Sequence, residues 1–494
     1  MSYMPSLSFD LSPVRFDYIG ALRGLAPRSQ DNPFVYVLAG AFDPEVFVCL
    51  AASNPQGRFY GVITNDQLLI HARNVASDRS VSNVSFVQAL SAIADKMDYL
   101  CADYSDRVLP QPEREALFEA AQKGLKPGGF FCYRYRAYEN PDEILQFLIN
   151  EYEPNLSKEQ GLEFLQDIKA LGTSYFVDHP IARAALEKAV QAGEPASFFE
   201  ACRGGDPDQV CSGTFETMEG LLPREFSFAG DADYSANYIE LAAPAAAHGP
   251  IDKCRGHLLY EPIKDFALQR LVRNDVWVKR PVEQTFDNPT LFGGFTFGVT
   301  TERERVPTAV PTQAGVINLS TPLFVRLIDL MSLMPVSVGD FLAHPSGVGM
   351  NPDDVVASIN VLVACGVAHP MRGRYEGKKT EDLMKPSWSN SFNAYLDKMP
   401  INDPFICLSS SIIGSTVTLS AREALVLQAV NRVGLTYCAG ILLPELKRLL
   451  QKNPSLATQI MGAPEPTDEV VQQLIVSVVK EGMPRWYAYG LLAA

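Results

Sequence analysis

The sequence is poor in the residues that assemble metal and nucleophile sites. Its six histidines, His71, His179, His248, His257, His344 and His369, share no metal-ligand spacing. The patterns HExxH, GxSxG, GxGxxG and the P-loop are all missing, so no metal site is expected and no nucleotide-cradling loop stands out. The nine cysteines include no CxxC pair, and several sit inside apolar runs, where a free cysteine packs as a small hydrophobe. An odd, unpatterned set argues against a disulfide framework and for a reducing compartment, hence a cytoplasmic location. No window approaches about 18 uninterrupted apolar residues, so no membrane span is expected. Residues 1–20 lack the charged head and apolar core of a signal peptide. Positive charge is also short: Lys+Arg 42 against Asp+Glu 57 leaves a net charge of -15. A phosphate-backbone binder needs a basic face, so a nucleic-acid partner is not expected, whereas a basic protein partner stays open.

What is present is a folded composition, 47% hydrophobic and 20% charged. At 494 residues the chain exceeds one core, and two to four domains are expected. Changes in character along the chain suggest four parts: 1–140, 141–285, 286–390 and 391–494.

The first part is organised by five short apolar runs: Phe34–Gly40, Phe59–Asn65, Val84–Gln88, Met97–Asp103 and Gly128–Tyr138. They are rich in Val, Ile, Phe and Tyr and close on Gly, Asn or Asp, as strands buried on both faces of a parallel sheet require. Helix-sized stretches lie between them at Pro44–Ser53, Asp66–Ala76 and Glu113–Gly124. This alternation predicts an α/β fold with a doubly wound sheet. A ligand would then sit beyond the carboxyl ends of the strands, just after Leu38, Ile63 and Cys101. Asp43-Pro44-Glu45 makes a good helix start, since Asp accepts from free N–H groups and Pro presets φ. Residues 1–33 read as an irregular lead-in, of which Asp10–Gly20 could pack across the first domain.

Beyond residue 140 the periodicity turns helical. Ile144, Phe147 and Leu148, then Leu162, Leu165, Ile168 and Leu171, then Ile181, Ala184, Leu186 and Ala189 mark amphipathic helices. A looser stretch runs from Gly204 to Pro250 and ends in an Ala-rich segment that reads as a linker. Tyr260–Pro281 reads as a helix leading into a strand. Its Arg270, Arg273, Lys279 and Arg280 form the most basic cluster, for which a solvated helix face outranks an anionic docking site.

Residues 286–375 suggest a winged-helix-like unit of three short helices and a returning hairpin. Its would-be recognition helix offers Asp353, Asp354, Ser358 and Asn360 and no cation, which favours protein contact over DNA contact. The last part reads as helical after a strand-like stretch, Ile406–Leu419. Ser420 and Thr467 stand at N-cap positions, and only Ser420 has an acid three residues on, Glu423, to complete a capping box.

Two segments carry a family resemblance. Leu125-Lys126-Pro127-Gly128-Gly129 between a helix and an aromatic strand resembles class I S-adenosylmethionine-dependent methyltransferases. Ser409–Leu427 and Tyr260–Lys279 are similar to elements of the methyltransferases that carry a methyltransferase regulatory domain. The best-known members of that family are bacterial protein-lysine methyltransferases. The resemblance implies a Rossmann-like methyltransferase sheet, a helical regulatory domain, a winged-helix-like unit and a helical tail over nearly the whole chain. It also implies S-adenosylmethionine as cofactor and a protein as methyl acceptor.

The residues at the implied cofactor positions depart from the pattern. Where the family has an acid and a Gly-x-Gly loop, this chain has Val37, Ala39, Gly40, Ala41, Phe42 and Asp43. Alanine where a positive φ or a close approach is needed costs about 1 kcal/mol or more, and Phe42 is bulky where the cofactor would lie. The ribose-binding acid after the second strand is matched by Ile63, with Thr64, Asn65 and Asp66 following. Two unsatisfied hydroxyls would cost roughly 1–3 kcal/mol each. The run after the fourth strand is Asp103, Tyr104, Ser105, Asp106, Arg107 and Val108, and Arg136 replaces the Asn expected after the fifth. The leading expectation is therefore a pseudoenzyme that binds no cofactor and acts through protein contacts, alone or in a homo- or hetero-oligomer. The alternative is an active protein methyltransferase whose S-adenosylmethionine is held by Gly40, Asp43, Asp66 and Asp103. The third reading, a winged-helix nucleic-acid binder, is the least favoured.

Overall fold

The structure is a computed structural model, and it describes residues 11–28, 32–152, 156–202, 213–281, 288–301, 303–372, 387–399, 401, 404–433 and 438–493. The chain divides into two compact units. The first comprises Met1–Asp95, Glu283–Pro307 and Ser320–Ala494; the second comprises Lys96–Val282 and Thr308–Leu319.

The first unit begins with α1 (Pro13–Ala21), a helix where an irregular lead-in was expected. Pro13 stands in its first turn with φ preset, and every residue of the helix is buried. Tyr18 of α1 donates to Asn360 Oδ1 at 2.7 Å. Then follow β1 (Phe34–Gly40), α2 (Pro44–Ala52), β2 (Gly57–Val62), α3 (Asp66–Asp78) and β3 (Val84–Val87). The strands run parallel in the order β3-β2-β1. The second expected strand is set two residues earlier than its apolar run, because Gly57 pairs with Phe34. Tyr36 stacks on Phe59 at 5.0 Å and Phe47 of α2 meets Phe59 edge-on at 5.9 Å, so this core is aromatic.

The second unit carries β4 (Met97–Tyr104), α4 (Gln111–Gly124) and β5 (Leu125–Arg136). Pro127-Gly128-Gly129, from the segment read as joining a helix to an aromatic strand, lies inside β5 as a bulge. Met97 pairs with Leu125 and Tyr99 with Phe130, so the extra residues must loop out. Gly128 has φ 73 there, and a Cβ on Gly129 would lie 2.9 Å from the Lys126 carbonyl oxygen.

Seven helices or turns of helix follow, where the sequence pattern marks three amphipathic helices and then a looser stretch from Gly204. They are α5 (Pro141–Tyr152), α6 (Lys158–Leu171), α7 (Tyr175–Asp178), α8 (Pro180–Ala192), α9 (Pro195–Cys202), α10 (Gly213–Leu221) and, after β6 (Phe226–Asp231), α11 (Ile239–Ala242). The Ala-rich segment expected as a linker is also a helix, α12 (Ala245–Lys253), with Ala247 and Ile251 buried. Alanine has the highest helix propensity, so once two positions find a core the segment folds. Helix α13 (Tyr260–Leu268) and strand β7 (Val272–Lys279) close the unit as expected. The strand order is β4-β5-β7-β6, with β4 and β5 parallel and β7 antiparallel to both neighbours. Each unit thus carries parallel strands joined through helices, and the second adds the antiparallel strands β7 and β6, an α/β Rossmann-like architecture as the sequence predicts.

The remainder of the first unit contains helices at Pro322–Leu333, Val338–Ala343 and Pro352–Ala364, as the winged-helix-like pattern anticipates. Strand His369–Met371 pairs antiparallel with Thr296–Gly298; residues 373–377 of the expected hairpin lie outside the described residues. Phe405–Ser410 and Ser415–Ser420 form an antiparallel hairpin. Ser53, at the end of α2, ties to it: its Oγ donates within 2.9 Å of the Ser415 carbonyl oxygen and accepts from Ser410 N at 3.2 Å. Ser420 and Glu423 complete the expected capping box, Ser420 N donating to Glu423 Oε2 at 3.0 Å and Glu423 N to Ser420 Oγ at 3.3 Å. Thr467 makes no side-chain cap bond. Helices Ala421–Val433, Ala439–Lys452 and Asp468–Ala488 enclose a core with Leu446, Val471 and Trp486. Among the described residues no helix is long and apolar enough to cross a membrane.

Candidate functional site

Three of the four candidate cofactor residues follow the first two strands of the first unit. Gly40 ends β1 with φ 93, a left-handed conformation that only glycine adopts freely. It exposes its backbone, but the next residues turn away from the role the resemblance assigns them. Phe42 packs its ring on Phe47, 5.3 Å between centroids, and a Cβ on Gly61 of β2 would come within 3.0 Å of it. Asp43 caps α2, accepting from Glu45 N at 2.7 Å. At the end of β2, Ile63 is buried and its N–H donates to Val87 O at 2.8 Å. Asn65 caps α3 through Leu68 N at 3.0 Å, and Asp66 accepts from Gln88 Nε2 at 2.6 Å.

Asp103 belongs to the second unit, in the last turn of β4. One oxygen accepts from Ser105 N at 3.0 Å and from Ser105 Oγ at 2.7 Å. The other lies 3.3 Å from Arg134 Nη1. Each of the three acids thus serves its own neighbourhood, as a helix cap, a partner for Gln88 or a turn. An adenosine ribose needs a carboxylate with two free acceptor positions; Ile63 supplies none. The first carboxylate after Ile63 along the chain is that of Asp66, which accepts from Gln88.

The basic cluster of residues 270–280 is where sequence reasoning fails. The sequence pattern predicts a solvated helix face, but Arg273 lies on β7 with no exposed side-chain surface. Its Nη1 donates to Asp265 Oδ1 at 2.7 Å, its Nη2 to Glu261 Oε2 at 2.8 Å and its Nε to Asp275 Oδ1 at 2.8 Å. Lys264 Nζ donates to Glu261 Oε1 at 3.0 Å, Thr214 Oγ1 to Asp265 Oδ2 at 2.7 Å and Tyr135 Oη to Asp275 Oδ2 at 2.8 Å. Arg270 pairs with buried Asp231, and Lys279 donates to the Leu125 carbonyl oxygen at 2.8 Å. Of the four cations only Arg280 faces solvent, and it pairs with Glu225.

Burial raises the pKa of Asp275 to about 6 against the pull of Arg273. Burial also opposes ionisation of Glu261, but Lys264 and Arg273 outweigh it and bring that carboxyl down to about 2. The signal that could have revealed the cluster is local. Glu261 and Asp265 are one turn apart on α13, and a short loop returns the chain to Arg273.

An open cavity of about 440 Å³ lies among α5, α7, α8 and α9 of the second unit. Tyr175 Oη donates to Asp142 Oδ1 at 2.6 Å, and the His179 ring stacks on Tyr175 at 4.1 Å with planes 10° apart. His179 Nδ1 is 2.9 Å from the Tyr175 carbonyl oxygen, which can only accept, so that nitrogen carries the proton. Its Nε2 lies 3.6 Å from Asp142 Oδ1. Burial, then the bond to Asp142, raises the Tyr175 pKa, and burial pushes the Cys202 thiol up to about 11. Neither group is activated as a nucleophile. Among the described residues no three His, Cys, Asp or Glu side chains gather as metal ligands.

Residues 213–279 match the model of a predicted methyltransferase regulatory domain. The buried cluster around Arg273 falls within that segment, apart from Tyr135. Two solved structures of PKMT2 from Rickettsia typhi are similar to this chain in fold. One covers 98% of this chain and 99% of its own, with a TM-score of 0.61 at 14% identity. The other, in complex with AdoHcy, covers 98% of each chain, with a TM-score of 0.59 at 14% identity. No curated protein sequence matches the chain.

Proposed function

Starting from a class I methyltransferase fold that carries a methyltransferase regulatory domain, we propose that this chain works through protein contacts and no longer grips a methyl donor. The observation that carries this reading is Ile63, a buried apolar side chain at the end of β2. It stands where the resemblance calls for a carboxylate, and leaving two ribose hydroxyls unpaired would cost about 1–3 kcal/mol each. Asp43, Asp66 and Asp103, the candidate acids, already hold local partners.

The proposed organisation keeps the four parts 1–140, 141–285, 286–390 and 391–494, with a winged-helix-like third part. That third part contacts protein rather than DNA in this reading. Its helix Pro352–Ala364 has Asp353 and Asp354 in the first turn and no basic residue in the last, and such a helix repels phosphate. The proposed setting is the cytoplasm of a bacterium, as a regulatory subunit beside a partner enzyme or in a homo-oligomer.

A second reading, an active protein-lysine methyltransferase, has two observations in its favour. The fold is shared end to end with a protein whose structure was solved with AdoHcy, and Gly40 keeps the positive φ of a cofactor loop. Methyl transfer asks mainly for alignment of donor and acceptor, so shifted polar groups could serve. Incubation with donor labelled on its methyl group, in a lysate of the source organism, separates the readings. The first predicts no label on any protein above a no-enzyme control; labelled protein that depends on this chain overturns it.

A further inference from the structure

On one face of strands β4, β5 and β7, at the carboxyl ends of the parallel pair, polar side chains stand in a row. Asp103 of β4 is in register with Arg134 of β5, and Arg134 with Asn274 of β7. Arg136, in register with Val272, lies two residues on and so returns to the same face. Below this row the face is apolar and buried: Tyr99 stacks on Phe130 at 5.8 Å, and Val276 and Val278 lie next to it in the core. The row itself is open to solvent. Arg134 has 43% of its side chain exposed, and Arg136 and Asn274 are half-buried. Open α/β sheets hold their ligands beyond strand ends of this kind.

The bonds within this row leave donors, not acceptors, unused. Asp103 accepts from Ser105 N, Ser105 Oγ and Arg134 Nη1. The Cys132 thiol donates to Asn274 Oδ1 at 3.2 Å, which leaves Nδ2, a donor, as the uncommitted end of that amide. Arg134 commits only Nη1, and Arg136 has no hydrogen-bond or ion-pair partner among the described residues. Two guanidiniums against the Asp103 carboxylate leave a single local positive charge, in a chain whose net charge is -15. A guanidinium fork matches a planar pair of oxygens, and a phosphate dianion would exceed the charge available. We propose that this row is a binding site for a carboxylate group. Its oxygens face the Arg134 and Arg136 guanidiniums, and Asn274 Nδ2 donates to a remaining lone pair. The group belongs either to a small acid or to an acidic side chain of a protein, which present the same chemistry. The inference goes beyond the protein-contact reading and does not rest on it.

The test is modification of the full chain, without methyl donor, by phenylglyoxal, which reacts with unprotected guanidiniums, read residue by residue by peptide mass spectrometry. Sodium butyrate is compared with butyramide at equal ionic strength, and acetylated, amidated Gly-Leu-Glu-Leu-Gly with its glutamine counterpart. A saturating carboxylate is expected to slow labelling of Arg134 and Arg136 about fivefold or more relative to its amide. Arg58 of the first unit, 64% exposed and paired with Asp95, is expected to be unaffected. Protection by butyrate assigns a small acid, and protection by the glutamate peptide alone assigns an acidic protein segment; either supports the site. Arg136→Gln, at a position without a side-chain partner, is expected to abolish the protection of Arg134. Asp103→Asn, which removes the competing charge, is expected to tighten carboxylate binding about twofold or more. Urea midpoints check that both variants fold. Protection by neither carboxylate overturns the proposal, as does equal slowing at Arg58. So does undiminished protection of Arg134 in folded Arg136→Gln, or weaker protection in folded Asp103→Asn.

Discussion

Arg273 and Asp265 meet at 2.7 Å inside the second unit, and neither side chain exposes any surface. An arginine is kept ionised at this depth only by full hydrogen bonding, and Glu261 and Asp275 complete its set. Within the segment that matches a regulatory-domain model, α13 is thus pinned to β7 by an ion cluster, not by apolar packing alone.

Replacing Arg273 by methionine is expected to lower stability by about 3–5 kcal/mol, because three carboxylates lose their shared cation. Urea unfolding of the variant checks this. A loss under about 1 kcal/mol would mean that the cluster contributes little beyond what an apolar side chain supplies.

The cluster also sets a pH dependence with two opposite limbs. Asp275 has its folded pKa raised from 3.8 to about 6. It binds its proton more tightly in the folded state, so its contribution is fully present below pH about 4 and is lost as pH rises through about 6. Glu261 is lowered from 4.5 to about 2. Its contribution is present above pH about 4.5 and fades as pH falls toward 2. Asp275→Asn should flatten the decline between pH 4 and 6, and Glu261→Gln should flatten the rise below it. Melting temperatures across pH 3–7 read both. A wild-type curve that rises steadily from pH 4 to 6, unchanged by Asp275→Asn, would contradict the assignment.

Ser53→Ala is expected to cost about 1–3 kcal/mol. It removes the hydroxyl that binds Ser415 O and Ser410 N and ties α2 to the Phe405–Ser420 hairpin. Ser420→Ala, which removes only the capping box of the helix that follows, should cost about 1 kcal/mol. Chemical denaturation of both variants gives the comparison. A smaller loss for Ser53→Ala than for Ser420→Ala would show that the buried hydroxyl is dispensable.

The sheet was legible because its strands are short runs buried on both faces. Phe34–Gly40 was found residue for residue, since an apolar run closed by Gly can hardly be placed otherwise. Boundaries slipped where pairing overrides composition, as at Gly57 of β2 and in the Pro127–Gly129 bulge of β5. Helix α1 was missed because its residues are buried all round, so no 3.6-residue stripe marks it. Arg273 was misread because charge says nothing of depth: only the fold of α13 over β7 brings Glu261 and Asp265 to its guanidinium. The candidate acids lie close to strand ends in the sequence, but sequence does not reveal that each already holds a partner. The stack of Tyr175 on His179 was visible only as a Tyr and a His one helical turn apart, a spacing that alone carries little weight.

The central claim is that the end of β2 does not hold a nucleoside. Calorimetric titration of the full chain with S-adenosylmethionine, repeated with S-adenosylhomocysteine, tests it directly. No saturable heat up to about 1 mM ligand, together with an unshifted melting temperature, is the predicted result. A dissociation constant in the micromolar range, accompanied by a rise in melting temperature, would contradict it.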